Sequence, residues 1–470
     1  MNKYNIKTTM LEEFEIRGLW YLPDTDLEEG VYGILTFTSS IISLKLMGSF
    51  KEDFDINNSV RDNVILGFSE NGKHIYLDNC FIIKHTNNMP GLSMSDYQIN
   101  TMFISSENIV SVNELALTKF NFSFANYDKW DLDSPIEIFI NTTEQSESIT
   151  YSVDQLKSIE SKYSLEENKI DFSKRAVVTR NHINGFTKME VSLEKYFEIN
   201  FLDNKTYFFN DVKEYLQKFN DFYSILIGHR MNNKQLKIYN NSQEISVFWT
   251  QRIISPKNFI INHDDAKTSM QSLLTQFEKE YSSLSIILNT RANKSYKNGF
   301  DSDLFIDASK NLEVFARQYF DITPELPNNY EILKTELMNV LEENNVNQSD
   351  YSFFSNKISF IGERALRWKI KKCIQLIPND LQKKIFGPNK NSKIVDRFCT
   401  TISDTRNHLT HGDSLSKYPL AITNPRELYY TTLKLNCILD YLLLQKIGVD
   451  ENIITKSISR YDGPYQSIFF

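Results

Sequence analysis

One short segment of the sequence combines residue types that are suited to acid–base chemistry at a phosphate. Residues 404–412 read Asp-Thr-Arg-Asn-His-Leu-Thr-His-Gly and hold two of the seven histidines. A histidine side chain can give or take a proton near neutral pH because its unperturbed pKa is about 6.5. Arginine carries a permanent, forked positive charge that matches phosphate oxygens. We therefore consider Arg406, His408 and His411 first as candidates for chemistry.

The segment is predicted to lie at the end of a helix over residues 392–411. Gly412 stands where a helix C-cap is expected. A purely structural interpretation also stays open: the Arg-Asn-His run could simply cap the helix, because cations near the end of a helix offset its dipole. The apolar residues that we expect to form the buried side of this helix are Ile394, Phe398, Ile402 and Leu409.

The spacing of the two candidate residues constrains how they can work together. At 100° per residue, Arg406 and His411 are about 140° apart on a straight helix, whereas Asn407, His408 and His411 share a face. Joint action on one phosphate therefore requires one of two arrangements. Either the helix end unwinds near Gly412, or a second subunit supplies part of the site.

Other kinds of catalytic site find little support in the sequence. The four cysteines are far apart and form no CxxC pair, and the histidines form no His-x3-His pair. Neither GxxxxGK[ST] nor GxGxxG occurs, so no phosphate loop is predicted. We expect no metal, no cofactor and no disulfide scaffold, and a reducing cytoplasm fits the cysteine usage.

The charge balance of the chain is acidic overall but basic in one region. The 470 residues carry 52 Lys and Arg against 60 Asp and Glu, a net charge of −8. Residues 361–400, by contrast, hold ten basic residues against three acidic ones, a surplus of +7. Such a patch would hold phosphates. The candidate RNA-binding residues are Arg364, Arg367, Lys371 and Lys372, of which the first three are predicted to share a helix face.

Length and hydrophobic patterning predict an α+β protein of more than one domain. Residues 1–260 read as a β-rich domain, and Asn71-Gly72 between two apolar runs is a strong hairpin signal. Residues 141–148 are expected to be a long loop, and residues 210–228 a helix. From about residue 265 the apolar period becomes helical. The helices predicted for an all-α domain over 265–470 are 265–290, 302–320, 329–344, 351–376, 392–411 and 426–447.

The segment from Arg406 to His411 resembles the Arg-x4–6-His motif of HEPN-domain ribonucleases. Residues 304–313 and the Leu-rich helix that ends at residues 444–448 resemble the Apea-like branch of that family. Residues 18–23, 33–37 and 42–48 resemble the N-terminal domain of ApeA-type anti-phage proteins. The resemblance covers nearly the whole chain.

This resemblance implies a metal-independent endoribonuclease that acts on tRNA or other cellular RNA during phage infection. Attack by the ribose 2′-OH would leave a 2′,3′-cyclic phosphate and a 5′-OH. The implied roles are proton transfer for His411, phosphate stabilisation for Arg406 and orientation for Asn407. His408 and Glu313 are accessory candidates.

The resemblance also implies partners. We expect a homodimer through the HEPN domains, RNA as the substrate, a phage-derived trigger for the β-rich domain, and no membrane. Two other functions stay open. The helical domain could be a non-catalytic module that dimerises and binds nucleotide or a partner, or the function could reside in a ligand site of the β-rich domain.

Overall fold

The chain folds into two compact units, Met1–Thr275 and Gln276–Phe470, in a computed structural model. The residues that the structure describes are 6–7, 9–50, 64–86, 91, 93–109, 111–134, 136–142, 147–153, 161–165, 170–183, 188–202, 205–240, 243–253, 258–292, 301–320, 329–344, 346–360, 364–412 and 414–469.

The first unit is rich in strands, as the sequence predicts. Its strands are β1 (Phe14–Tyr21), β2 (Val31–Phe37), β3 (Ile42–Leu46), β4 (Val64–Ser69), β5 (His74–Thr86), β6 (Met94–Ser105), β7 (Lys119–Phe124), β8 (Ile136–Thr142), β9 (Glu147–Val153), β10 (Ser161–Leu165), β11 (Ile170–Ile183), β12 (Lys188–Phe201), β13 (Asn233–Tyr239) and β14 (Glu244–Trp249).

Six of these strands form a closed barrel. They pair in the order β6-β3-β2-β1-β4-β5, and β5 pairs back with β6. On its other edge β6 continues into β14, β13, β7, β12, β11 and β10. The β6 strand is therefore shared between the barrel and an open antiparallel extension.

The hairpin between β4 and β5 confirms the Asn-Gly signal. Gly72 adopts a φ of +72°, which a residue without a side chain tolerates best, and its N–H donates to the Ser69 carbonyl at 2.9 Å. Gly67 is needed for close packing rather than for a turn, because a Cβ atom there would lie 2.5 Å from the ring of the buried Trp20.

The expected long loop over residues 141–148 is wrong. Strands β8 and β9 pair antiparallel, with Asn141 opposite Ser148 and Thr142 opposite Glu147. A two-stranded ribbon accommodates polar side chains, and Thr favours extended backbone, so polarity alone did not indicate a loop here. Residues 143–146 lie outside the described residues.

The predicted helix over residues 210–228 is confirmed as α2 (Phe209–Ile227). Its buried stripe includes Phe219 and Tyr223, whose rings lie 5.6 Å from Phe122 and 5.3 Å from Phe197 respectively. The short helices α1 (Tyr127–Trp130) and α3 (His263–Ala266) also belong to this unit. Aromatic packing thus fixes α2 against strands β7 and β12.

Beyond α3 the chain is helical. The helices are α4 (Met270–Ala292), α5 (Ser302–Tyr319), α6 (Tyr330–Glu343), α7 (Gln348–Phe360), α8 (Leu366–Gln375), α9 (Asn379–Phe386), α10 (Ser392–His411), α11 (Pro425–Lys446), α12 (Glu451–Ile458) and α13 (Gln466–Phe469). Among the described residues, no helix is both long and apolar enough to cross a membrane.

The core of the second unit is built on α5 and α11. Helix α5 packs against α8, α10 and α11. Arg291 at the end of α4 and Tyr465 near the chain end both donate hydrogen bonds to the fully buried Asp440 of α11, the former at 2.9 Å. These bonds satisfy a carboxylate that would otherwise be costly to bury.

The prediction of one helix over residues 351–376 is wrong, because α7 and α8 are separate. Ala365, just before α8, has extended backbone with φ −60° and ψ 152°. The intervening sequence contains Gly362, a residue type that disfavours helix. The sequence analysis also missed α9 and α12, which are eight residues long and too short to show a clear apolar period.

Candidate active site

Helix α10 presents the Arg–His segment and is regular to its end. The side chain of Asn391 accepts a hydrogen bond from the Ile394 N–H at 3.0 Å, which caps the start of the helix. The helix ends at Gly412, which has a φ of +67° and donates its N–H to the His408 carbonyl at 2.9 Å. The predicted bounds are confirmed, and the helix does not unwind before His411.

The predicted buried side of α10 is correct at only one of its four positions. Ile402 is buried, but Ile394, Phe398 and Leu409 are partly exposed. The side chains that α10 buries are Val395, Cys399, Ile402 and Thr405. The buried side is rotated because α10 packs on α8 and α5, a contact that the helix's own apolar period does not encode.

The strongest electrostatic feature of this region is the ion pair between Arg406 and Glu313. The Arg406 Nη1 atom lies 2.9 Å from Glu313 Oε2 on α5, and the arginine side chain is 30% exposed. Lys369 Nζ and Arg317 Nη2 donate to Glu313 Oε1 at 2.9 and 3.0 Å. One carboxylate therefore holds three cations, of which Lys369 is fully buried.

This arrangement keeps Glu313 ionised. Burial alone would raise the pKa of the Glu313 carboxyl, but hydrogen bonds from Lys369 and Arg317 and the charge of Arg406 lower the pKa below its ordinary value. A permanent negative charge can orient the Arg406 guanidinium while leaving part of it open to solvent. Lys369 belongs to the basic stretch that we predicted to hold phosphates, but it is buried and pairs with Glu313 instead.

The remaining residues of the motif differ in how exposed they are. Asn407 and His408 are partly buried, and His411 is exposed on the last turn of α10. In a regular helix, His411 is about 140° from Arg406 around the axis. The structure brings Arg406 to Glu313 but leaves His411 of the same chain on a different side.

The prediction that Arg364, Arg367 and Lys371 share one helix face is wrong, because Arg364 precedes the first residue of α8. Its guanidinium lies 5.1 Å from the ring centre of Trp368, and Lys372 Nζ lies 5.4 Å from the same ring. These distances fit cation–π contacts.

Lys371 and Arg367 differ in whether an acidic side chain already neutralises their charge. Lys371 Nζ lies 2.5 Å from the Asp396 carboxylate, so part of its charge is already neutralised. Arg367 is exposed on α8. The basic surplus of residues 361–400 is therefore smaller on the surface than the sequence suggests.

The cysteines are not candidates for nucleophilic chemistry. All four are free and buried. Burial, with a smaller effect of Asp396, raises the pKa of the Cys399 thiol to about 12. A thiol with such a pKa does not form the reactive thiolate near neutral pH.

The β-rich unit holds a buried charge cluster that the sequence analysis missed. Asp131, Asp133 and His263 place potential ligand atoms within 4.8 Å of one another. However, Lys174 Nζ lies 2.8 Å and Lys195 Nζ lies 3.3 Å from the fully buried Asp131 carboxylate. These ammonium groups already supply the positive charge that a metal ion would bring, so the cluster is an ion-pair network.

The same cluster predicts a dependence of stability on pH. Burial lowers the pKa of His263, although the Asp131 carboxylate opposes this effect. The unfolded chain therefore binds more protons below about pH 6.5, and the stability due to neutral His263 is lost as the pH falls. We expect the free energy of unfolding to decrease between about pH 7 and about pH 5.5, and to decrease less in His263→Gln. Denaturant titrations at both values measure this, and an unchanged decrease in the variant contradicts it.

Comparison with family models agrees with both halves of this architecture. The model described as ApeA N-terminal domain 1 matches residues 15–290, and the model described as Apea-like HEPN matches residues 306–453. A search of curated proteins and a search of solved structures each found no match.

The two matches define a β-rich domain followed by a HEPN helical domain, a class in which the helical domain is typically a ribonuclease. The first match alone covers more than half of the chain. The chain belongs to the ApeA family, and the resemblance found in the sequence is confirmed. The protein therefore has the architecture of an anti-phage defence protein with a nuclease-like HEPN domain.

Proposed function

We propose that this protein is a metal-independent endoribonuclease that cleaves tRNA or other cellular RNA during phage infection. One observation carries the proposal. Glu313, an almost buried carboxylate, lies 2.9 Å from the partly exposed guanidinium of Arg406, and an exposed histidine follows Arg406 by five residues at the end of the same helix. In RNA transesterification a fixed cation can stabilise the phosphate and an imidazole can transfer a proton.

The reaction follows from the chemistry of these residues. The ribose 2′-oxygen attacks the phosphorus, loses its proton and forms a new O–P bond, while the bond to the 5′-oxygen breaks and that oxygen gains a proton. His411 either takes the proton from the 2′-OH or gives a proton to the 5′-oxygen, and solvent water accepts or supplies the other proton. Arg406 stabilises the negative charge on the phosphate oxygens, Asn407 orients the phosphate, and His408 is an accessory group. The products are a 2′,3′-cyclic phosphate and a 5′-OH.

The site that we propose is shared between two chains of a homodimer. Helix α10 is regular through His411, so Arg406 and His411 of one chain point to different sides. Facing HEPN domains let Arg406 of one protomer meet His411 of its partner.

The roles that we propose for the other basic residues follow from their charges. Arg367 and Lys372 are proposed to hold flanking RNA phosphates, and Arg364 and Lys371 to assist them.

In this proposal, residues 265–470 form the nuclease domain. Residues 1–260 form the regulatory domain, which recognises a phage-derived trigger in the cytoplasm.

The function is tested by incubating bulk tRNA with the purified protein in EDTA and analysing the product ends. We expect cleavage that leaves 2′,3′-cyclic phosphate and 5′-OH ends, and no cleavage of the same RNA carrying 2′-O-methyl groups, because the attacking hydroxyl is then blocked.

Two results would contradict the function. Cleavage that requires a divalent metal or leaves 5′-phosphate ends excludes this chemistry. If the wild type cleaves nothing even during phage infection, and its toxicity equals that of His411→Ala, the domain is a non-catalytic module.

A further inference from the structure

A pocket of about 530 Å³ lies between α10 and the first half of α11. Helix α10 contributes Arg397 and Phe398, and α11 contributes Arg426, Tyr430 and Lys434. On α10, Arg397 is about 180° from Arg406 around the axis, so the pocket lies on the opposite side from the Glu313 ion pair. Neither Arg406 nor His411 lines this pocket.

The lining of this pocket is positively charged. Arg397, Arg426 and Lys434 supply three cations, and Glu427 supplies one carboxylate, a surplus of two positive charges. A phosphate monoester carries close to two negative charges at pH 7 and offers three acceptor oxygens. Charge and hydrogen-bonding capacity therefore match this anion.

Lys434 is the most buried of these cations, since Arg397 and Arg426 are exposed. Burial, as the sole cause, lowers its pKa below the ordinary value. Within the part of the chain that the structure describes, the Lys434 ammonium has no carboxylate or hydrogen-bond acceptor. A partly buried charge without a partner costs free energy, which an anion in the pocket would offset.

Side chains, not the start of α11, make this pocket attractive to an anion. The Asn424 side chain accepts hydrogen bonds from the Arg426 and Glu427 backbone N–H groups at 2.9 and 3.2 Å. Those donors are already satisfied. The guanidinium and ammonium groups of the side chains are therefore the groups that would bind the anion.

The size and the aromatic rings indicate that the ligand is larger than inorganic phosphate. A volume of about 530 Å³ lies within the range of small-molecule sites. The rings of Phe398 and Tyr430 give the pocket an apolar wall, and the Arg426 guanidinium lies 5.8 Å from the Tyr430 ring centre. Such a site suits a charged group attached to an uncharged, partly apolar body.

We propose that this pocket binds a phosphate monoester. The ligand is either a small phosphorylated molecule, such as a free mononucleotide, or the phosphorylated end of a nucleic acid strand, since both present the same group. This site goes beyond the proposed cleavage chemistry and does not depend on Arg406 or His411.

Binding is tested with the full chain by calorimetry and by the shift of the melting temperature. The probes are AMP, ribose 5-phosphate, adenosine, and a short DNA oligonucleotide with either a 5′-phosphate or a 5′-OH, which a 2′-OH-dependent nuclease cannot cleave. We expect AMP or the 5′-phosphorylated oligonucleotide to bind, and adenosine and the 5′-OH oligonucleotide not to bind. Which of the two binds identifies the source of the ligand.

Three variants locate the site. We expect Lys434→Met and Arg397→Gln each to weaken binding at least about tenfold, because each removes a charge-assisted hydrogen bond. Lys393→Gln removes the same charge from an exposed position of α10 outside the pocket and should bind as the wild type does.

The melting temperature without ligand separates binding from folding. Lys434→Met replaces a desolvated ammonium with an apolar chain, so the free variant should be at least as stable as the wild type. If Lys434→Met fails to fold, the binding of the phosphate monoester by Arg397→Gln, a substitution at an exposed position, tests the proposal. The proposal is overturned if no phosphate monoester binds at millimolar concentration, or if both pocket variants bind as tightly as Lys393→Gln.

Discussion

Arg406→Ala and His411→Ala should each reduce RNA cleavage about a thousandfold, because each removes one group that stabilises the transition state or transfers a proton. Heterodimers that contain one chain of each variant should regain about half of the wild-type rate, since one of their two shared sites is then intact. A site shared across two chains is the only arrangement that gives this recovery.

The measurement uses two affinity tags, so that heterodimers are purified away from both homodimers before the cleavage rate is determined. The matched control pairs a wild-type chain with a chain that carries both substitutions. In a shared site this control dimer is inactive, because each site lacks one residue. If the control keeps half of the activity and the heterodimer of single variants has none, each site lies within one chain.

Glu313→Ala should destabilise the protein by about 3 kcal/mol or more, since it removes the carboxylate that pairs with the buried Lys369 ammonium. Lys369 is 1% exposed, and Glu313 is the acceptor of its 2.9 Å ion pair. Glu313→Gln keeps the shape and one acceptor oxygen, so its loss should be smaller. Denaturant unfolding measures the change, and Glu343→Ala, at an exposed position of α6, should change stability by less than about 0.5 kcal/mol.

A second substitution separates the structural role of Glu313 from its role toward Arg406. The double variant Glu313→Ala/Lys369→Met removes both buried charges, so we expect it to recover most of the lost stability. Its kcat should stay low, because Arg406 still lacks the carboxylate that positions it. Full recovery of kcat together with stability would show that Glu313 acts on the fold alone.

Several elements could be predicted because their signals are local. Helix α10 has an Asn before it and a Gly after it, and its predicted bounds of 392–411 are confirmed. The Asn71-Gly72 turn joins β4 and β5 because Gly tolerates a positive φ. The alternation of apolar and polar residues likewise indicated a β-rich part followed by a helical part.

Other features could not be predicted because the deciding interaction joins residues that are distant in the sequence. The ion pair between Arg406 and Glu313 spans 93 positions, and the cluster around Asp131 brings Lys174, Lys195 and His263 together from separate elements. No spacing rule encodes such pairs.

The sequence by itself determined that a β-rich part precedes a helical part, the bounds of α10, the family, and the residue types at the candidate site. Backbone preferences and helix caps act over a few residues, so they can be read directly from the chain. Only the tertiary structure decided which side of α10 is buried, which three cations Glu313 holds and how deeply Lys434 is buried. The physical reason is that burial and side-chain pairing depend on which helices pack together, and that packing overrides the periodicity of any single helix.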